Sequence, residues 1–192
     1  VFLGYDLSMN ENEQGLHRQQ DLYWYKMLEL KVAATYMRRY RDYLGKWVTR
    51  IGVVKAVASS SSIAAWAIWR EHAFIWGSII AVSQVVDALK DVFPVTKRYK
   101  SASEHVVALD SLFIDAQLEW ESIFSGSYTD AQINSRLHKL RKLHHDAECH
   151  SFKEGLPVRD DLFKQAQNEA AVFFTNTYGV HSLPGGKHAE PK

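Results

Sequence analysis

The segment from Ile51 to Phe93 constrains this chain more than any other. Two uncharged runs, Ala56–Trp69 and Ala73–Val86, flank the short turn Arg70-Glu71-His72. Apolar helices joined by so tight a turn lie antiparallel, and the numbering reflects about Glu71. Trp66 falls level with Trp76, Ser59 with Ser83, and Lys55 with Asp87. Like residues therefore stack at three depths of one hairpin, a layering that suits a position in or on a membrane.

Length argues the other way. Runs of about 14 residues rise only ~21 Å, short of the ~30 Å hydrocarbon core, and runs of that size also occur as buried helices of soluble proteins. Extending the pair to Ile51 and Leu89 admits only Lys55 and Asp87 and lengthens each helix to about 26–28 Å. A lysine near a helix end can snorkel, and a bilayer can thin locally around a short span. Aromatic residues sit where interfacial belts belong: Trp66, Trp69, Phe74 and Trp76 at the turn, Trp47 and Phe93 at the open end. Arg38, Arg39, Arg41, Lys46 and Arg50 precede the hairpin, and Lys90, Lys97, Arg98 and Lys100 follow it. By the positive-inside rule both termini are expected in the cytoplasm of a bacterial inner-membrane protein.

Helical spacing puts Lys55, Ser59, Ser62 and Trp66 on one face of the first helix, and Trp76, Ile80, Ser83 and Asp87 on one face of the second. Ile75, Ile79, Val82 and Val86 form an aliphatic opposite side that suits lipid. Small polar residues let membrane helices approach closely, and charges at depth face a partner or water. Two readings follow for Lys55, Ser59, Ser62, Ser83, Gln84 and Asp87. Either Lys55 pairs with Asp87 and the serines are packing surface, or these residues line a polar pathway between subunits. One hairpin cannot enclose a pore, so the second reading requires a homo-oligomer.

The remaining chain reads as all-α. Residues 1–15 are expected to be a flexible leader, without the basic start and apolar core of a signal peptide. Leu22, Tyr25, Leu28, Val32, Tyr36, Tyr40 and Tyr43 recur at helical spacing and predict an amphipathic helix over 16–47. After the hairpin (48–93), Pro94 opens a cytoplasmic helical region over 94–179. Its first helix is expected over Thr96–Phe124, with Val106, Leu109, Leu112, Phe113, Leu118 and Trp120 as the buried stripe. Thr129 with Gln132 forms a capping-box pattern for a helix to about Cys149, and Asp160-Asp161 open another that Gly179 can end near Tyr178. The tail, 180–192, has too little apolar content to fold alone.

Composition narrows function by exclusion. A net charge of +1 gives no global signal for nucleic acid, and a single cysteine, Cys149, excludes an internal disulfide. His138, His144, His145, Cys149 and His150 lack the spacing of a zinc site and read as a solvated helix, so no metal or cofactor is expected. Arg136, Lys139, Arg141 and Lys142 read as a solvent face or as a site for an anionic ligand such as a nucleotide or short oligonucleotide. Glu104, His105 and Asp110 match no acid–base or nucleophile motif, and no phosphate-cradling glycine loop is present. No catalytic residue is assigned. Tyr and Arg mixing over Tyr36–Tyr43 reads as an anchor at headgroup level.

A Tyr/Arg-rich helix (Tyr36-Met37-Arg38-Arg39-Tyr40-Arg41), a two-helix apolar hairpin, and a long helix carrying Tyr99, His105, Leu109 and Leu112 follow one another. This order of features resembles the SLATT family, the SMODS- and SLOG-associating two-transmembrane effectors of bacterial conflict systems. The resemblance covers roughly Gln20 to Phe124 and rests on layout, not on an invariant signature. It implies an inner-membrane effector that oligomerises and breaches the membrane during phage infection, an abortive-infection device. It also implies control by a partner nucleotidyltransferase's product or by a sensor of nucleotide signals, with systems of the Hailong type as one setting, and no catalytic residues. Two alternatives stand beside it: a soluble helical-bundle interaction protein, and a membrane tether for a partner enzyme that conducts nothing.

Overall fold

Local signals place most helix ends in this chain. The computed structural model describes residues 11–60, 74, 77–78, 81–82, 84–85, 94–153, 155–156 and 158–179; at 11–17 and 57–60 only the backbone is described. The protein is all-α: α1 is Glu11–Ser60, α2 Val95–Phe124, α3 Asp130–Ser151 and α4 Asp160–Tyr178, and no strand occurs among the described residues. The described positions between 74 and 85 are also helical.

At the end of α2, Gly126 takes a left-handed φ of 75°. Its N–H donates to Ile123 O and that of Ser127 to Ser122 O, each at 3.1 Å, which closes a Schellman motif. The capping box forms at α3, where the Thr129 N–H donates to Gln132 Oε1 at 2.9 Å. Gly179, at φ 68°, ends α4 with its N–H on Thr175 O.

Helix α1 departs from expectation. It begins at Glu11, so the proposed leader is helical over 11–15, and it passes through Gly45 and Gly52 to Ser60. A glycine costs a helix interior roughly 1 kcal/mol, too little to break one supported by long helical flanks. Residues 1–10 and 180–192 lie outside the described residues.

The chain divides into two compact units, the first comprising 1–39 and 104–192 and the second 40–103. In the first, α1 buries Tyr23, Met27, Leu30, Ala34 and Met37. The alternating steps of four and three residues make this a coiled-coil-like seam. The other helices add Leu109, Phe113, Ala116 and Ile123 from α2, Ile133, Leu137 and Leu140 from α3, and Ala166, Ala170 and Phe174 from α4. The Phe174 ring meets Trp24 at 5.3 Å and Tyr178 at 5.6 Å between centroids. This seam corrects the predicted stripe: Leu28, Tyr36 and Tyr40 are buried, but Tyr25 is exposed, because α1 is walled by several helices and its burial is centred on Met27 and Leu30. On α2, Leu118 is 61% exposed, also against expectation.

The second unit differs in character. Its buried apolar residues among those described are Tyr40, Leu44 and Ala102. Farther along, Val53 (57%), Phe74 (87%), Val82 and Val85 (56%) are exposed, as is Val54. Among the described residues no helix is long and apolar enough to cross a membrane. Most of 61–93, on which the spanning expectation rests, lies outside them.

Candidate functional site

The polar residues expected at the hairpin are only partly described. Lys55 is half-buried on α1, Ser59 is helical, and Gln84 is helical and exposed. Ser62, Ser83 and Asp87 lie outside the described residues, as do Trp66, Trp69, Trp76 and Phe93, so the Lys55–Asp87 pairing does too. Trp47 is exposed on α1; Tyr43 meets its ring edge-on at 6.5 Å and the Arg50 guanidinium lies 5.4 Å from its centroid. An aromatic body with a cation beside it is the side-chain pairing that an interface between water and lipid favours.

The arginines ahead of Trp47 are more engaged than headgroup anchors would be. Arg38 reaches Asp110 through two contacts of 3.0 and 3.1 Å. Arg39 holds Glu169 at 2.7 Å and Gln165 at 2.7 Å, and Arg41 holds Asp42 at 2.8 Å. The Tyr36 hydroxyl accepts the Arg159 N–H at 3.1 Å. Within the Tyr36–Tyr43 segment read as a headgroup anchor, Tyr36, Arg38 and Arg39 instead tie α1 to α2 and α4 inside the first unit. The orientation argument is unaffected, because the positive-inside rule counts lysines and arginines, not net charge.

The basic segment of α3 does not form one face. Arg136 is bound to Glu119 at 2.8 Å and lies 4.0 Å over the Tyr128 ring. The same carboxylate accepts from the Tyr23 hydroxyl at 2.8 Å, and burial together with Glu119 pushes that phenol's pKa far up. Lys139, Arg141 and Lys142 are exposed. At 100° per residue, Arg136 and Arg141 flank opposite sides of the buried Ile133–Leu137–Leu140 stripe, while Lys139 and Lys142 face away from it.

A polar cluster that no sequence motif marks sits inside the first unit. Lys26, 9% exposed, donates to Glu29 Oε1 and to His144 Nδ1, each at 2.8 Å. His144 is therefore not part of a solvated histidine helix, although His138, His145 and His150 are exposed. It lies a turn beyond Leu140 on the buried stripe, and burial, then the Lys26 ammonium, holds its pKa below the ordinary value. His105 is buried on α2 with its ring edge-on to Phe152 and its Nδ1 without a hydrogen-bond partner among the described residues. Burial, then His144, lowers its pKa as well. The signal for this cluster was helical register: Lys26 falls on the seam between Tyr23 and Met27, and His105 beside Ala102 and Val106.

Lys31 is similarly desolvated, its ammonium 3.9 Å from the Phe173 ring centroid, and burial followed by Arg38 lowers its pKa. Cys149 Sγ lies 3.5 Å from His145 Nε2 on the exposed side of α3. Among the described residues no three metal-binding side chains converge. Neither protein-family models, nor curated proteins, nor solved structures give a match to this chain.

Proposed function

We propose that this protein is a membrane-embedded effector of a bacterial anti-phage system, inserted in the inner membrane by the 48–93 hairpin with both termini cytoplasmic. Several copies assemble into an ion channel or pore, and the helices of the first unit receive the signal that gates it. One observation carries the reading: Val53, Val54, Phe74, Val82 and Val85 are exposed in the unit whose buried apolar residues, among those described, are only Tyr40, Leu44 and Ala102. Such a surface is unfavourable in water and calls for lipid or another copy of the chain. The belt-like placement of Trp47, the basic flanks and the resemblance to SLATT proteins support it. The regulatory ligand is a nucleotide or short oligonucleotide. With Arg136 committed to Glu119, the exposed cations left for it on α3 are Lys139, Arg141 and Lys142.

Induced expression in bacteria, read with a membrane-potential dye and by fractionation, tests the proposal. Depolarisation with the protein in the membrane fraction is expected. An intact potential with the protein confirmed in the membrane overturns channel activity and leaves the tether. A second reading, a soluble helical interaction protein, draws on the absence of a spanning helix among the described residues. Recovery in the soluble fraction without detergent favours it.

A further inference from the structure

Just ahead of the exposed apolar stretch of α1, the second unit carries an open groove of about 490 Å³ lined by Asp42, Gly45, Lys46, Thr49, Arg50 and Tyr99. Its volume falls in the ~300–1,000 Å³ range of small-molecule sites. Gly45 favours the close approach of its two walls. A Cβ there would sit 3.2 Å from Tyr99 Cε2, so any side chain would push the α2 tyrosine back by a few tenths of an ångström.

Lys46 and Arg50, one helical turn apart, place two cations on one wall. The groove's single carboxylate is already engaged, because Asp42 Oδ1 accepts from Arg41 Nε at 3.0 Å and from a terminal guanidinium nitrogen at 2.8 Å. The Thr49 hydroxyl donates to Gly45 O at 3.0 Å and so keeps only acceptor capacity for the groove. Among the described residues Lys46 and Arg50 have no carboxylate partner. An ammonium and a guanidinium one turn apart, with the groove's one carboxylate already paired to Arg41, are matched to a phosphate.

We propose that this groove binds the phosphodiester of an anionic lipid headgroup. The inference rests on the membrane reading above, which puts Trp47 at the interface and Val53 and Val54 one to two turns deeper. A headgroup held at Lys46 and Arg50 then sits at the level of the Trp47 ring, with its acyl chains alongside the exposed valines.

The 192-residue chain is reconstituted in phosphatidylcholine vesicles, released in mild detergent and titrated with phosphatidylglycerol or phosphatidylcholine under native mass spectrometry. Alkaline-carbonate extraction of the same vesicles scores insertion separately. Selective phosphatidylglycerol adducts are expected, with affinity about 30-fold lower in K46Q/R50Q and little changed in K153Q/K164Q, which removes equal charge on the first unit. Insertion is expected to be the same in all three.

Equal binding of the two lipids by inserted wild-type protein overturns the groove and leaves the membrane reading standing. An equal loss in K153Q/K164Q reduces the effect to net charge and overturns the site. If soluble glycerol phosphate binds as tightly, in a manner lost in K46Q/R50Q, the lipid assignment falls. Failure of the wild type to insert overturns both readings.

Discussion

His144 and His105 are neutral bases held in a poorly solvated place, and the first unit's stability depends on their staying neutral. An unfolded histidine titrates near pH 6.5, whereas burial lowers both pKa values in the folded chain. The folded state then binds fewer protons than the unfolded state. Stability is complete above about pH 6.5 and is lost as pH falls from there toward the depressed folded values. Protonation of His144 also removes the acceptor that Lys26 donates to. Urea midpoints are expected to fall between pH 7.5 and pH 5, and His144→Gln, which keeps an acceptor for Lys26 but cannot titrate, is expected to flatten the decline. A decline of equal steepness in the variant would show that His144 does not contribute to it. None of this was visible from motifs, because Lys26, His105 and His144 are far apart in sequence and only packing removes water from them. Arg136 shows the same limit: its charge was legible, its engagement by Glu119 was not.

At the scale of elements, what was readable is what is local. The capping box at Thr129, the acidic start of α4 at Asp160 and Asp161, and its end at Gly179 all involve residues within a turn of one another. Gly179→Ala forces a side chain into the left-handed region at φ 68°, so about 1–2 kcal/mol of destabilisation is expected by chemical denaturation. A cost near zero would mean that the end of α4 frays without consequence. The extent of α1 was harder to read. Gly45 resembles a stop, but it lies inside the helix and serves the close approach of Tyr99. Nor did periodicity identify the buried face of α1. Apolar and aromatic residues occur around most of its circumference, and the neighbouring helices determine that Met27 and Leu30 are central while Tyr25 faces outward.

For the molecule as a whole, apolar burial is distributed unevenly among the described residues. The first unit has a core with Tyr23, Phe174, Met27 and Leu30 fully buried, although Leu118 and Phe124 on it are exposed, whereas the second buries only Tyr40, Leu44 and Ala102 and leaves Val53, Val54, Val82 and Val85 exposed. Val54→Lys combined with Val85→Lys is therefore expected to abolish recovery in the membrane fraction without altering the thermal transition of the first unit. Membrane recovery unchanged by both lysines would remove lipid contact as the reason for this surface. The sequence by itself determined the all-helical class, the ends of α3 and α4, and where the two uncharged apolar runs lie, because helix propensity, capping and hydrophobic runs act over a few residues. Only the tertiary structure decided which face of α1 is buried, that Arg38, Arg39 and Arg136 are tied to carboxylates, and that two histidines share a desolvated cluster with Lys26. Those outcomes depend on burial and on charges brought together across many intervening residues, which no local pattern specifies.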